Sequence, residues 1–374
     1  MKKIFYYCNF PSPYYIGFLN ELGKHCELTA VFERGASSDR NDSWKEFSAP
    51  NIKELHIMHG IHTKADMAFC PQITRFIKRK KYDHYILHDP ASPTGMWLIW
   101  YLKARKIPFI LQSEGGFGGD GKTGFKEKYK RALMSGAQLY LSTMSLEREY
   151  FLAYGATRET LYRYPFASFF AKDILDAPLS AEEKKVIRER LGVHENKVII
   201  CVGRIIPCKA HDVLLRAVKD LPRDVGVYII SGQATPDLQA IVDEYHMDHV
   251  HFINFMPLEQ LWEYYKMADF LALPTRIDTW GLFVNEAMAC GLPVITTKRC
   301  VAGLELIEDN ENGFLIDVDD VEDLTQKIHA LLNDDALREK MALNNVKKIK
   351  WYTFEDQAKV TLEALNTVPS AKKD

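Results

Sequence analysis

The chain has 374 residues, 47% hydrophobic and 26% charged, an ordinary globular composition that excludes collagen-like, low-complexity and wholly disordered chains. The formal charge of −2 hides two unlike halves: residues 1–170 carry 24 Lys and Arg against 16 Asp and Glu, and residues 171–374 carry 24 against 34. The seven cysteines (8, 26, 70, 201, 208, 290 and 300) show no paired short spacing. That argues against zinc ribbons and CxxC redox sites and for free thiols in a reducing cytosol. The start, Met1-Lys2-Lys3-Ile4-Phe5, is soon broken by Cys8, Asn9 and two prolines, so it reads as a first strand rather than a leader. The most apolar stretch, 96–102, is far shorter than the ~20 residues a membrane-spanning helix needs.

In chain order, apolar runs predict strands at 3–7, 28–32, 84–87, 109–112 and 139–142. After a break they predict further strands at 198–202, 226–230, 251–253, 270–272, 294–296 and 314–316. Helical periodicity lies between them, as at 212–218, where Val213, Leu214, Ala217 and Val218 share one side. Alternation of this kind predicts an α/β chain with parallel sheets covered on both faces. The break at 164–180, bracketed by Pro165 and Pro178, reads as a linker followed by a charged helix at 181–191. The expected domains are 1–170 and 171–350, with a C-terminal helical segment, 351–374, packing back on the first. Two such domains facing across a cleft would bind ligands at the carboxyl ends of their strands.

The basic residues of the first half cluster as Lys78-Arg79-Lys80-Lys81 and as Lys122, Lys126, Lys128, Lys130 and Arg131. They read either as a solvated helix face or as an attraction to anionic lipid headgroups, at about 1 kcal/mol per well-placed basic residue. Nucleic acid is not an expected partner, because the pI is about 6.6 and no nucleic-acid module is recognisable.

Two segments could carry chemistry. The strand at 198–202 ends in Gly203-Arg204, followed by Pro207-Cys208-Lys209 and a helix expected to open at Asp212. Arg204 and Lys209 on one loop suit a diphosphate; alone, they read equally as two solvated cations. The second segment runs from Pro274 through Asp278, Gly281, Leu282, Phe283 and Glu286 to Gly291-Leu292-Pro293. It predicts strand, glycine loop, helix 283–290 and a new strand, with the amides of Gly281, Leu282 and Phe283 offered to an anion. Here Asp278 could instead be a loop cap and Glu286 a solvated helix residue.

These two segments resemble the family 4 retaining glycosyltransferases, enzymes of the two-Rossmann GT-B fold, within the glycosyl transferases group 1. The resemblance covers 198–317 and runs more faintly through the first half. It implies that Arg204 and Lys209 grip the donor phosphates and that Asp278 and Glu286 form the paired acidic motif. It further implies that Gly203, Gly232, Gly281, Leu282, Phe283 and Glu305 line the donor site, and that Glu286 holds the nucleotide ribose. The implied activity moves a sugar, with retention, from a nucleotide diphosphate sugar (UDP-hexose or UDP-N-acetylhexosamine favoured over GDP-mannose) to a glycan or lipid-linked glycan acceptor. The resemblance also implies that the acceptor attacks from the leaving-group side and that the phosphate takes the proton. No cofactor and no metal are expected. Polysaccharide or lipopolysaccharide assembly is the expected setting, in the cytoplasm or against the inner face of the plasma membrane.

The chain departs from the family pattern at four places. Asp278 stands where the family has Glu, and Ala210 follows Lys209 where Gly is usual. Pro11-Ser12-Pro13-Tyr14-Tyr15-Ile16-Gly17 replaces the glycine-rich loop after the first strand. Gln112-Ser113-Glu114-Gly115-Gly116-Phe117 occupies the region where an active-site His is frequent. Glu114 reads as a sugar contact or as the cap of a glycine loop. His88, beside Asp89, is a further candidate, although a turn before Pro90 explains it as well. Asp317-Val318-Asp319 resembles a metal-binding Asp-x-Asp only superficially, since acids before the helix at 321–332 serve as caps. Two rivals share the donor site: a nucleotide-sugar 2-epimerase and a non-catalytic nucleotide-sugar-binding subunit.

Overall fold

The computed structural model describes residues 1–35, 47–64, 67–78, 80–88, 90–117, 124–145 and 149–372. Arg79, Asp89 and Lys122, named above, lie outside them. The chain divides into two compact units, 1–170 with 352–374, and 171–351.

Unit 1 opens with β1 (Lys3–Cys8), α1 (Pro13–Gly23), β2 (Glu27–Phe32), β3 (Glu54–Ile57) and the hairpin β4 (Ile61–Lys64) and β5 (Met67–Phe69). There follow β6 (His84–His88), α2 (Pro93–Ala104), β7 (Ile110–Ser113), α3 (Phe125–Met134), β8 (Leu139–Ser142) and β9 (Leu161–Arg163). Seven strands form one sheet in the order β3-β2-β1-β6-β7-β8-β9, and every pair in it is parallel. Ile4 to Cys8 are fully buried, as a central strand covered on both faces requires.

In unit 1, prolines start the helices α1 and α2, where their missing N–H costs nothing. Pro13 follows the N-cap Ser12, and Pro93 follows the N-cap Ser92. The segment 11–17 is therefore the N-cap and opening of α1. The last helix of the chain, α12 in order (Phe354–Asn366), packs on α1. Gly17 permits the approach: a Cβ there would lie 2.5 Å from the Phe354 ring.

Unit 2 runs α4 (Ala181–Leu191), β10 (Lys197–Val202), α5 (His211–Val218), β11 (Val225–Ile230), α6 (Pro236–Glu244), β12 (Val250–Ile253), α7 (Leu258–Met267) and β13 (Phe270–Ala272). It continues through α8 (Leu282–Ala289), β14 (Val294–Thr297), α9 (Val301–Leu306), β15 (Gly313–Ile316), α10 (Val321–Asn333) and α11 (Asp335–Ile349). Its six parallel strands are ordered β12-β11-β10-β13-β14-β15.

Both units are Rossmann-like, the architecture the alternating pattern predicts. In each sheet the chain winds outward from a central strand in one direction, then returns and winds in the other. The reversal falls between β1 and β6 in unit 1 and between β10 and β13 in unit 2. Connections leave opposite faces at such a point and open a crevice at the carboxyl ends of the two strands.

Candidate active site

The reversal of unit 2 brings together the two loops singled out in the sequence. After β10, Gly203 donates to Ile230 O at 3.3 Å and gives the chain room to turn: a Cβ there would lie 3.2 Å from Leu273 Cδ2. Half-buried Arg204 follows, then a short 3-10 turn (Pro207–Lys209), Ala210 at φ 55°, and α5, which opens at His211 rather than Asp212.

After β13, Thr275 Oγ1 donates to Cys208 O at 2.8 Å and Arg276 N donates to the same oxygen at 2.7 Å. The loops are thereby stitched backbone to backbone, and Lys209 Nζ meets Asp278 in an ion pair whose side chains are 14% and 15% exposed. The ammonium also lies 5.6 Å from the centre of the Phe283 ring. Asp278 is thus an ion-pair partner and not a loop cap.

Gly281 caps α8 with φ 104°, a left-handed conformation, and a Cβ there would fall 2.6 Å from Cys300 Sγ. Only glycine suits both demands. No side chain caps this helix, so the amides of its first turn keep their orientation toward whatever sits before Leu282 and Phe283. Glu286, one turn on, is 9% exposed and accepts a hydrogen bond of 2.8 Å from Tyr265 Oη on α7. It is therefore not a solvated helix residue. Burial, then the Glu286 carboxylate, push the Tyr265 phenol well above its ordinary range, so it stays a donor.

Gly232, at the end of β11, has φ 150° and a Cβ position 3.8 Å from Ile205 Cγ1, beside the Gly203-Arg204 loop. Glu305 lies half-buried on α9, whose N-cap Cys300 donates its thiol proton to Trp280 O at 3.1 Å.

Arg276 carries no assignment from the sequence, yet it joins three segments. It donates to Pro207 O at 2.7 Å, to both Asp212 oxygens at 3.0 and 2.7 Å, and through Nε to Asp319 at 2.7 Å. Hydrogen bonding to Asp212 is the first cause of its raised pKa. The expectation for Asp317 and Asp319 needs correction here. Asp317 pairs with Lys298 and Asp319 with Arg276, whereas the acid that caps α10 is Asp320, accepting from Asp323 N. Among the described residues, no three His, Cys, Asp or Glu side chains gather as a metal would need.

Glu114 and His88 belong to unit 1, His88 at the end of β6 beside its reversal and Glu114 just after the neighbouring strand β7. His88 is the last residue of β6, 5% exposed, and not part of a turn. Its Nε2 lies 3.1 Å from Tyr15 Oη, and the same hydroxyl donates to Glu114. Burial lowers His88 to about 3, so the imidazole is neutral; burial and Glu114 push Tyr15 well above its ordinary range. Glu114 is thus held by a tyrosine and does not merely cap its glycine loop. Tyr15, like Tyr265, was invisible in the sequence because an aromatic at helical spacing reads as core.

Three comparisons bear on this arrangement. The sequence model of the family described as "Glycosyl transferases group 1" matches residues 183–348. A D-inositol 3-phosphate glycosyltransferase of Mycobacterium sp. (strain KMS) is 38% identical over 160 residues, covering 40% of this chain and 36% of that protein. The match thus spans little more than a third of that relative's length. An uncharacterized glycosyltransferase of Methanocaldococcus jannaschii is 26% identical over 326 residues, 80% of this chain and 90% of its own. Among solved structures, Anabaena HepE in complex with UDP superposes with a TM-score of 0.78 at 16% identity, over 98% of this chain and 100% of that one. At that identity the likeness is one of fold, the GT-B pair of Rossmann-like domains.

Proposed function

We propose, from the premise that residues 183–348 belong to the glycosyl transferases group 1 family, that the whole chain is a retaining, metal-independent glycosyltransferase. Its substrates are a nucleotide diphosphate sugar, with UDP-hexoses and UDP-N-acetylhexosamines favoured, and a hydroxyl of a glycan or lipid-linked glycan. The observation that carries this reading is the convergence of the Lys209–Asp278 ion pair, Glu286 and the first turn of α8 at one strand reversal.

Arg204, Lys209 and the α8 amides would receive the charge that builds on the departing nucleotide diphosphate. Glu286, aimed by Tyr265, would accept hydrogen bonds from the ribose hydroxyls. Asp278 and the Gly281–Phe283 backbone would hold the donor sugar. The bond that breaks joins the anomeric carbon to the phosphate oxygen; the one that forms joins that carbon to the acceptor oxygen, whose proton goes to the diphosphate. Unit 1 would hold the acceptor, with His88 and Glu114 at the carboxyl ends of β6 and β7, in the cytoplasm or at the inner membrane face.

The test is a panel of UDP-, GDP-, ADP- and dTDP-sugars scored for nucleotide release with a chelator present. Release from one donor, increased by a lipid-linked acceptor and reduced at least a hundredfold in Lys209→Ala and Glu286→Ala, supports the reading. Sugar isomerisation without acceptor would indicate an epimerase. Binding without release across a broad acceptor panel would indicate a binding subunit. Anomeric configuration of the product decides retention.

A further inference from the structure

Unit 1 presents large aromatic side chains where a helix covering a sheet should be polar. On α2, Leu98, Ile99 and Leu102 are buried, while Trp97 and Trp100 on the opposite side are 42% and 39% exposed. On α3, Leu133 and Met134 are buried, while Phe125 and Tyr129 are 86% and 39% exposed. The two outer faces are continuous, because Trp100 Nε1 donates to Tyr129 Oη at 3.3 Å and Lys103 Nζ donates to Ala132 O at 2.5 Å. Trp100 and Tyr129 meet, and Trp97 and Phe125 lie one turn away from them on the same helices, so the four are not scattered singly.

On the two helices themselves positive charge predominates. No carboxylate occurs in α2, and the single one in α3, Glu127, is engaged by Tyr154 at 2.7 Å and Lys130 at 3.6 Å. Lys126, Lys128 and Arg131 on α3, with Arg105 and Lys106 just after α2, are exposed. Tryptophan and tyrosine have an apolar body and a polar edge, which suits the boundary between headgroup and acyl chain. Flanking lysines and arginines suit an anionic headgroup layer. A nucleic-acid groove could use the same cations and rings, but the chain's pI of about 6.6 and the lack of a recognisable nucleic-acid module argue for the bilayer.

We propose that the outer faces of α2 and α3 form an interfacial membrane-docking surface. Trp97, Trp100, Phe125 and Tyr129 enter the headgroup boundary of an anionic bilayer, and the surrounding lysines and arginines meet its phosphates. These helices follow β6 and β7, so their first turns lie at the same sheet edge as His88 and Glu114. A lipid-linked acceptor lying in that bilayer would then reach the edge of unit 1 without leaving its membrane. That purpose rests on reading unit 1 as the acceptor side; the docking itself does not.

The experiment is flotation of the full chain with vesicles of phosphatidylcholine alone and of phosphatidylcholine with roughly a third phosphatidylglycerol. Nucleotide binding by calorimetry is measured in parallel. The expected result is partition to the anionic vesicles only, weakened by salt. Trp97→Ser/Trp100→Ser/Phe125→Ser should lower it at least tenfold, and Lys126→Glu/Lys128→Glu more than that, at roughly fivefold per charge removed. Trp97 and Trp100 fluorescence should be quenched by brominated acyl chains. Nucleotide affinity should be unchanged in both variants, which shows that they fold.

No partition to anionic vesicles, partition that neither variant alters, or retention on heparin without vesicle binding would each overturn the surface. Vesicle binding by a chain that binds no nucleotide would leave the surface standing and overturn the transferase reading.

Discussion

Ala210 takes φ 55°, the left-handed conformation that glycine adopts most readily, at the mouth of the candidate donor site. A left-handed alanine costs about 1–2 kcal/mol. Replacing it by glycine returns that strain but removes a buried methyl worth about 0.8 kcal/mol and adds chain entropy of about 0.5–1 kcal/mol. The terms cancel, so Ala210→Gly should lie within about 0.5 kcal/mol of the parent. The same substitution at Ala217, 4% exposed inside α5, gains nothing from strain and should cost about 2 kcal/mol. Urea denaturation of the two variants measures the difference. Equal losses would show that Ala210 is unstrained.

Between elements, Arg276 is the staple. It ties the loop after β13 to Pro207 and Asp212 around the start of α5 and to Asp319 before α10. Its side chain is 31% exposed, so screening limits the ion pairs, and the stability at stake is about 1 kcal/mol. The geometric stake is larger, because the two loops it joins carry Lys209 and Asp278. Arg276→Met should therefore lower kcat/KM for the donor at least tenfold while shifting stability by no more than about 1 kcal/mol. Donor kinetics beside a urea midpoint test this. A loss of stability with unchanged kinetics would make Arg276 a scaffold residue only.

At the scale of the whole chain, three buried imidazoles set the acid limit. Burial, the first cause in each, lowers His84 and His211 to about 4 and His88 to about 3, against about 6.5 in an unfolded chain. Below pH 6.5 the unfolded state binds protons that the folded state refuses. Stability that is complete above 6.5 is therefore lost as pH falls toward 4. At pH 5.5 each histidine should cost about 1 kcal/mol relative to pH 7.5, two of them acting on unit 1 and one on unit 2. Asp83 does not contribute in that window. Burial would raise it, but hydrogen bonds from Lys372, the Lys3 amide and Ser370 outweigh this and hold it at about 2, so its support is lost only below about pH 4. Urea unfolding at the two pH values measures the slope, and flat stability would mean that the imidazoles are not buried neutral.

The sequence determined what depends on local pattern. Strands such as 139–142 and 270–272 and the helix at 181–191 could be read to the residue, because apolar runs, caps and helical periodicity are properties of neighbours in the chain. The short strands β3 and β9 could not, since they carry polar residues and exist through pairing with distant partners. The residues quoted for the donor site were legible as residue types at known spacing. Their partners were not. That Lys209 meets Asp278, that Tyr265 aims Glu286, that Arg276 spans three segments and that Tyr15 joins His88 to Glu114 are contacts between residues far apart in sequence. Only the order of the strands in each sheet and the packing of the helices on it bring those residues side by side. Which aromatics of α2 and α3 face outward likewise followed from which side the sheet covers, and tertiary packing alone decided that.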